Sequence, residues 1–206
     1  APQIRERVVL IGKRGSKKVG YLTPTNSSDP SFGLPGWKTF GEAVDGLVGV
    51  QHAAEFPEKR LKYFKMLGEG QYWKDLPLDV QPEAMGKSYR LGGGKTGFYR
   101  RIWFDRPCPT LVTSPTMPAT DLCHPTEDRP LSVEEYKRVQ GFPDDWSIRG
   151  NMSDVYRQIG NAVPVALGKA IGDAIMADMN GTGPKQIDGF PYSRYRKTSD
   201  KTWTVG

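Results

Sequence analysis

Three stretches of the chain place residue types where they can do chemistry. In Pro2-Gln3-Ile4-Arg5-Glu6-Arg7, an amide and two guanidiniums stand two residues apart. Alternate side chains of an extended chain share a face, so Gln3, Arg5 and Arg7 are expected to line up together. Such a row suits phosphate oxygens and the acceptor edges of bases. A charged edge strand carries the same pattern, so both readings stay open here. In Gly92 to Arg101, glycines let backbone approach a ligand closely. Lys95, Arg100 and Arg101 supply charge, and Phe98 and Tyr99 supply stacking surface around Thr96. Across 86–106, Lys87, Arg90, Lys95, Arg100, Arg101 and Arg106 face a single acid, Asp105. Basic residues interleaved with aromatics and glycine suit nucleic acid, whereas a flexible hairpin tip is the plain alternative. A P-loop is disfavoured, because Gly-Gly-Gly-Lys-Thr lacks the spacing and no apolar strand precedes it. In the third stretch, Gln158-Ile-Gly-Asn161-Ala162-Val163-Pro-Val, Asn161 is expected just before a helix. There it either contacts a small ligand or acts as an ordinary N-cap.

The other reactive residues carry less. His52 and His124 have no second ligand at metal spacing. Cys108 sits between prolines without an evident base and reads as structural, and Cys123 reads as a small buried residue.

Elements must position these groups. Arg7 to Lys13 is a β-branched run that reads as a buried strand. Residues 15–38 read as loop. Thr39 to Leu47 reads as a short helix, with Thr39 and Glu42 in capping-box positions. Pro57 to Leu67 reads as a helix with Pro57 at its first position. Phe98 to Trp103 and Pro109 to Thr113 read as short strands. Ser132 and Glu135 form a second capping box, flanked by a Leu131–Tyr136 staple, and the helix they open ends near Gly141 and Pro143. The last helix is expected from about Val163 to Met179, with Val163, Leu167, Ile171, Ala174 and Ile175 on one stripe. Residues 181–206 read as a basic, loosely ordered tail or partner-binding arm.

The chain has 206 residues, enough for one substantial domain or two small ones, and a net charge of +6. That balance favours a polyanion, nucleic acid first. The two cysteines suggest neither a disulfide framework nor a zinc site, so no metal is expected and a reducing interior fits. No apolar run reaches the length of a membrane span, and no signal-peptide pattern opens the chain. It starts at Ala1 without a Met, which suggests a piece of something longer.

Taken in order, these stretches resemble the C-terminal part of bacterial cytosine-C5 DNA methyltransferases. Pro2 to Arg7 before Val-Val-Leu-Ile-Gly resembles motif VIII. Arg129-Pro-Leu-Ser, Glu135 and Arg138-Val-Gln-Gly-Phe-Pro resemble motif IX. Gln158-Ile-Gly-Asn-Ala-Val-Pro through Ile175 resembles motif X. Asp105-Arg-Pro-Cys-Pro-Thr-Leu-Val-Thr, Ala119-Thr120 and His124-Pro125 resemble the lead-in to motif IX.

The resemblance implies an α/β fold: the C-terminal portion of a Rossmann-like methyltransferase domain plus an irregular mixed α/β target-recognition domain. Residues 1–20 would be the catalytic-domain strand, 21–105 the recognition domain, 106–180 the return to the catalytic domain and 181–206 the tail. It also implies a reaction, in which a cytosine is flipped from double-stranded DNA, a cysteine thiolate adds to C6, and C5 takes a methyl group from S-adenosylmethionine. Restriction-modification in a bacterial cytoplasm, on the nucleoid, would be the setting. Arg7 would meet the flipped base, with Arg5 and Gln3 in support. Asn161, Ala162 and Val163 would edge the cofactor pocket. Lys95, Thr96, Phe98, Tyr99, Arg100 and Arg101 would lie at the DNA groove, and Arg129 would join the recognition and catalytic parts beside it. The family's cofactor loop, Pro-Cys nucleophile loop and Glu-Asn-Val segment precede motif VIII, and none is present here. The chain alone is therefore expected to be inactive without an N-terminal half. A DNA-binding module derived from such an enzyme is the competing reading.

Overall fold

The computed structural model describes residues 1–15, 19–49, 52–93 and 95–192. The chain divides into two compact units. One comprises Ala1–Arg7 with Trp37–Ala166, the other Val8–Gly36 with Leu167–Gly206.

In the first unit, local signals build the helices. Helix α1 (Phe40–Val44) opens on the Thr39/Glu42 capping box, and both reciprocal bonds are present. Its start is fixed from outside as well, because Phe40 and Gly41 donate to the carbonyls of Arg106 and Phe104. Helix α2 (Glu58–Phe64) follows Pro57, and α3 spans Gln81–Met85. Helix α4 (Val133–Gln140) opens on the Ser132/Glu135 box and stops at Gly141, whose φ of 87° is a left-handed conformation open to glycine. Helix α5 (Met152–Asn161) is capped by Asn151, whose side chain accepts from the Asp154 amide.

Strands are short. β1 (Arg100–Arg101) pairs in parallel with β2 (Leu122–Cys123), Arg100 opposite Leu122 and Arg101 opposite Cys123. Gln3 bridges to Cys108 in parallel, and Cys123 to Pro130 in antiparallel fashion. Helices and short strands mix in this unit, as the α/β reading expects. Pro109 to Thr113 forms no strand; instead it lies alongside the N-terminal segment, where Thr110 Oγ1 donates to the Ile4 carbonyl at 2.7 Å.

Two apolar clusters hold this unit. The first joins α1, α4 and α5 through Phe40, Leu111, Leu131, Tyr136, Val139, Tyr156 and Ile159. Fully burying each large apolar side chain contributes about 1.5–3 kcal/mol. Tyr156 Oη donates to the Leu131 carbonyl at 2.8 Å, so the hydroxyl is satisfied inside the cluster. Close approach matters at Gly160, where a Cβ would lie 2.6 Å from the Val112 carbonyl oxygen. The second cluster gathers Phe56, Phe64, Trp73, Met85 and Tyr99 around α2 and α3.

In the second unit the expected strand at Arg7–Lys13 is absent. Val8 is 90% exposed and Leu10 92% exposed. A strand is stable only when its backbone pairs and its side chains are covered, and no described residue pairs with this run. Helix α6, which carries the chain into this unit, spans Val165–Met179, and Ala174 is its buried residue. Val165, Ile175, Met176 and Met179 are exposed, so much of its apolar surface is uncovered. Lys13 pairs with Asp178 at 2.7 Å. Residues 184–192 make contacts within this unit. Gln186 Nε2 donates to the Tyr21 carbonyl at 2.9 Å, and the Tyr21 and Tyr192 rings stack at 4.6 Å. The remainder of the predicted tail, including Arg194, Arg196, Lys197 and Lys201, lies outside the described residues, as does Gly94.

Candidate functional site

The first of the three chemistry-bearing stretches is laid along residues 108–111 by backbone bonds. Cys108 N–H donates to the Pro2 carbonyl at 2.9 Å, and Ile4 N–H to the Cys108 carbonyl at 2.8 Å. This extended pairing gives the alternation expected from the spacing. Gln3 Oε1 accepts from Leu111 N–H at 3.1 Å, and Gln3 Nε2 donates to Gln140 Oε1 at 2.6 Å. Gln140, at the end of α4, donates to the Ala162 carbonyl at 2.5 Å. Arg7 Nη2 donates to that same carbonyl at 3.0 Å, and Arg5 Nη1 to the Leu111 carbonyl at 2.8 Å. Gln3, Arg5, Arg7, Gln140 and Ala162 thus belong to one hydrogen-bonded cluster. Burial, and then the adjoining Arg7 charge, hold the Arg5 guanidinium below its ordinary value. Arg7 is exposed and keeps donors available to a further ligand. Gln140 was not named as a site residue from the sequence, although it lies in the Arg138-Val-Gln-Gly-Phe-Pro stretch that resembles motif IX, at the end of a predicted helix.

Asn161 does not precede a helix. It is the last residue of α5, exposed, with Ala162 as C-cap. The cause is Pro164: the residue before a proline is driven out of the α region, so one helix ends ahead of Val163 and the next begins after Pro164. The N-cap task belongs to Asn151 instead.

The stretch from Lys95 to Arg101 divides by burial. Lys95 and Tyr99 both adopt left-handed backbone, with φ of 51° and 50°. Gly97 is clamped, since a Cβ there would lie 2.0 Å from the Ala119 carbonyl oxygen. Lys95 Nζ donates to the Tyr89 carbonyl. Tyr99 is buried; its hydroxyl donates to the Ala84 carbonyl at 2.9 Å and its N–H to Asp121 Oδ1 at 3.0 Å. Arg60 pairs with the same Asp121, whose carboxyl burial pushes up to about 6 against the pull of Arg60. Arg101 is buried too, donating to the carbonyls of Phe64, His124 and Glu127 and to Asp128. Tyr99 and Arg101 spend their polar groups inside the unit. Thr96 is exposed, and Phe98 and Arg100 are half-buried.

Arg129 grips two carboxylates. It makes two 2.9 Å bonds to Glu135 and bonds of 2.9 and 3.0 Å to Glu127. These raise its pKa further, and they anchor the segment before α4 to the α4 capping box.

Cys108 is fully buried, and burial drives its thiol well above the ordinary range. Cys123 is buried as well, its thiol pushed up to about 12. A thiolate is the nucleophile, so neither is poised for attack. Among the described residues no group of His, Cys, Asp and Glu could hold a metal ion, and no helix is long and apolar enough to cross a membrane.

A sequence model of the C-5 cytosine-specific DNA methylases matches residues 1–177. The chain belongs to that family. It is 43% identical over 188 residues to Type II methyltransferase M.PspPI of Psychrobacter, covering 90% of this chain and 45% of that protein. It is 42% identical over 177 residues to Type II methyltransferase M.Eco47II of Escherichia coli, covering 85% of this chain and 42% of the relative. With Type II methyltransferase M.Sau96I of Staphylococcus aureus it shares 39% identity over 182 residues, 86% of this chain and 40% of the relative. The chain therefore spans less than half the length of these relatives.

Proposed function

We propose that this chain is the DNA-recognition portion of a DNA (cytosine-5)-methyltransferase of a restriction-modification system. It acts on double-stranded DNA together with an N-terminal half that carries the nucleophile. The observation that carries this reading is the hydrogen-bonded cluster of Gln3, Arg5, Arg7, Gln140 and Ala162, which ties the segments resembling motifs VIII, IX and X into one place.

In this reading Arg7 holds the flipped cytosine, while Arg5 and Gln3 fix the segment that presents it. A guanidinium is a fitting partner for a base carbonyl oxygen, being permanently charged and donor-rich. Asn161, Ala162 and Val163 form one rim of the cofactor pocket. They fit in part: Asn161 offers an exposed amide and Val163 an exposed apolar side chain beside a carbonyl already occupied by Arg7 and Gln140. S-adenosylmethionine, when bound, supplies the methyl group. Lys95, Thr96, Phe98 and Arg100 face the duplex, while Tyr99, Arg101 and Arg129 hold that surface in shape. The uncovered apolar side chains of Val8, Leu10 and α6 suit burial against the N-terminal half. The setting is the bacterial cytoplasm.

The test is Arg7→Ala in the chain recombined with such a half. Methyl transfer falls far more than duplex binding. Equal losses in both would remove the base-holding role.

A further inference from the structure

Arg60 on α2 is nearly buried, and Asp121, just ahead of β2, is fully buried. Their ion pair stands where three segments meet. Arg60 Nη2 donates to Asp121 Oδ2 and, at 3.4 Å, to the Pro118 carbonyl. Nη1 donates to the Tyr99 hydroxyl at 3.1 Å, and the guanidinium carbon lies 4.1 Å from the Tyr99 ring centroid. Asp121 turns its other oxygen to the Tyr99 N–H at 3.0 Å. A buried ion pair is often no more stabilising than apolar side chains of the same volume, so stability alone is a weak reason for this one.

What the pair holds is strained. Lys95 and Tyr99 both adopt left-handed backbone, which residues other than glycine keep only where their surroundings impose it. Those surroundings are residues 118–121. The Pro118 carbonyl and the Asp121 carboxylate are tied to Arg60, and between them the Ala119 carbonyl faces Gly97, where a Cβ would collide with it. At the far end of the stretch the Trp73 indole N–H donates to the Lys95 carbonyl at 2.9 Å. Residues 95–99 therefore lie on a template that one arginine staples to α2. Strain fixed in this way preorganises a site.

We propose that Arg60 and Asp121 are positioning residues that fix the shape in which Lys95, Thr96 and Phe98 are presented to DNA, and so set how narrowly the chain chooses its site. That the stretch faces DNA rests on the function proposed above. That the pair sets its shape rests on the contacts alone.

The test compares the full chain with three variants. Asp121→Asn leaves Arg60 buried without a counter-charge. Arg60→Met combined with Asp121→Asn removes both charges, so its circular dichroism spectrum stays unchanged even if the single variant fails to fold. Gly97→Ala pushes the stretch off its template from the other side and leaves the pair intact. Amide hydrogen exchange reports the stretch without DNA, and selection from a pool of random duplexes reports site choice. Amides of 95–101 exchange about tenfold or more faster in the double variant and in Gly97→Ala, while those of α4 and α5 are unchanged. Both variants accept a wider set of duplexes than the unaltered chain, which a merely structural pair would not cause. Unchanged exchange in the double variant, or faster exchange with the same duplexes selected, would overturn the positioning role. Faster exchange with no duplex selected by any protein, the unaltered chain included, would remove the DNA reading and the site-choice role with it, leaving only a shape-holding contact.

Discussion

Gln3 and Gln140, 137 positions apart, are joined by a 2.6 Å side-chain hydrogen bond. The bond is the middle of a relay. Leu111 N–H donates to Gln3, Gln3 to Gln140, and Gln140 to the Ala162 carbonyl. Each glutamine amide uses both ends, one as acceptor and one as donor, so the four segments hold one another in register. Bonds in such a chain polarise each other, and losing a member exposes the rest.

Gln140→Ala is therefore expected to cost about 1–3 kcal/mol, because it leaves part-buried partners unpaired. Urea unfolding measures it. The same variant should lower methyl transfer in the recombined enzyme, since Arg7 shares the Ala162 carbonyl. An unchanged midpoint would mean that the relay contributes nothing.

Two glycines should respond oppositely to alanine. At Gly160 the new Cβ would meet the backbone of Val112 at 2.6 Å, and backbone cannot step aside cheaply. Overpacking of this kind destabilises by roughly 1–3 kcal/mol. Gly168, inside α6, has nothing within 4 Å of a new Cβ. There alanine should stabilise by about 0.5–1 kcal/mol through helix propensity. Thermal melts of the two variants should move in opposite directions.

His124 gives a pH dependence. Its Nδ1 accepts from the amides of Thr126 and Glu127 at 3.3 and 3.1 Å, which requires an unprotonated nitrogen. Nε2 then carries the hydrogen and faces Glu135 at 3.4 Å. Burial lowers its pKa, with Glu135 and Glu127 opposing and Arg129 and Arg101 assisting. The unfolded chain takes up its proton near pH 6.5. The folded state resists, so the contribution is full above that pH and is lost as pH falls through it toward the depressed folded value. Stability curves at pH 7.5 and 5.5 should differ for the unaltered chain and converge for His124→Gln. Equal slopes in both would show that this ring does not set the acid limit.

Local signals in the sequence survived in the structure. Thr39 with Glu42 and Ser132 with Glu135 are three apart and cap the helices they predict. Alternation at Gln3, Arg5 and Arg7 put these side chains on one face, because Cys108 and Pro2 pair the backbone there. Failures came where distant chain decides. Val8 and Leu10 looked buried because β-branched runs usually fill a sheet, but no described residue offers them one. Asn161 was misplaced because α5 went unrecognised, though Asn151 and Asp154 marked its start and Val155 and Ile159 its apolar side. Arg101 and Arg100 look alike in sequence. Four acceptors from two other stretches of chain bury one, and an aromatic cleft receives the other. No spacing rule separates them.

The most direct measurement is methyl transfer from labelled S-adenosylmethionine to mixed-sequence duplex DNA. The chain is assayed alone, then with an N-terminal half bearing the nucleophile loop, using both the unaltered chain and Cys108→Ser. Activity in the mixture only, retained by Cys108→Ser, is the expected result. It would establish that the chain supplies recognition and part of the base pocket while its partner supplies the nucleophile. Activity from the chain alone, lost with Cys108→Ser, would contradict the account and make this buried thiol the nucleophile.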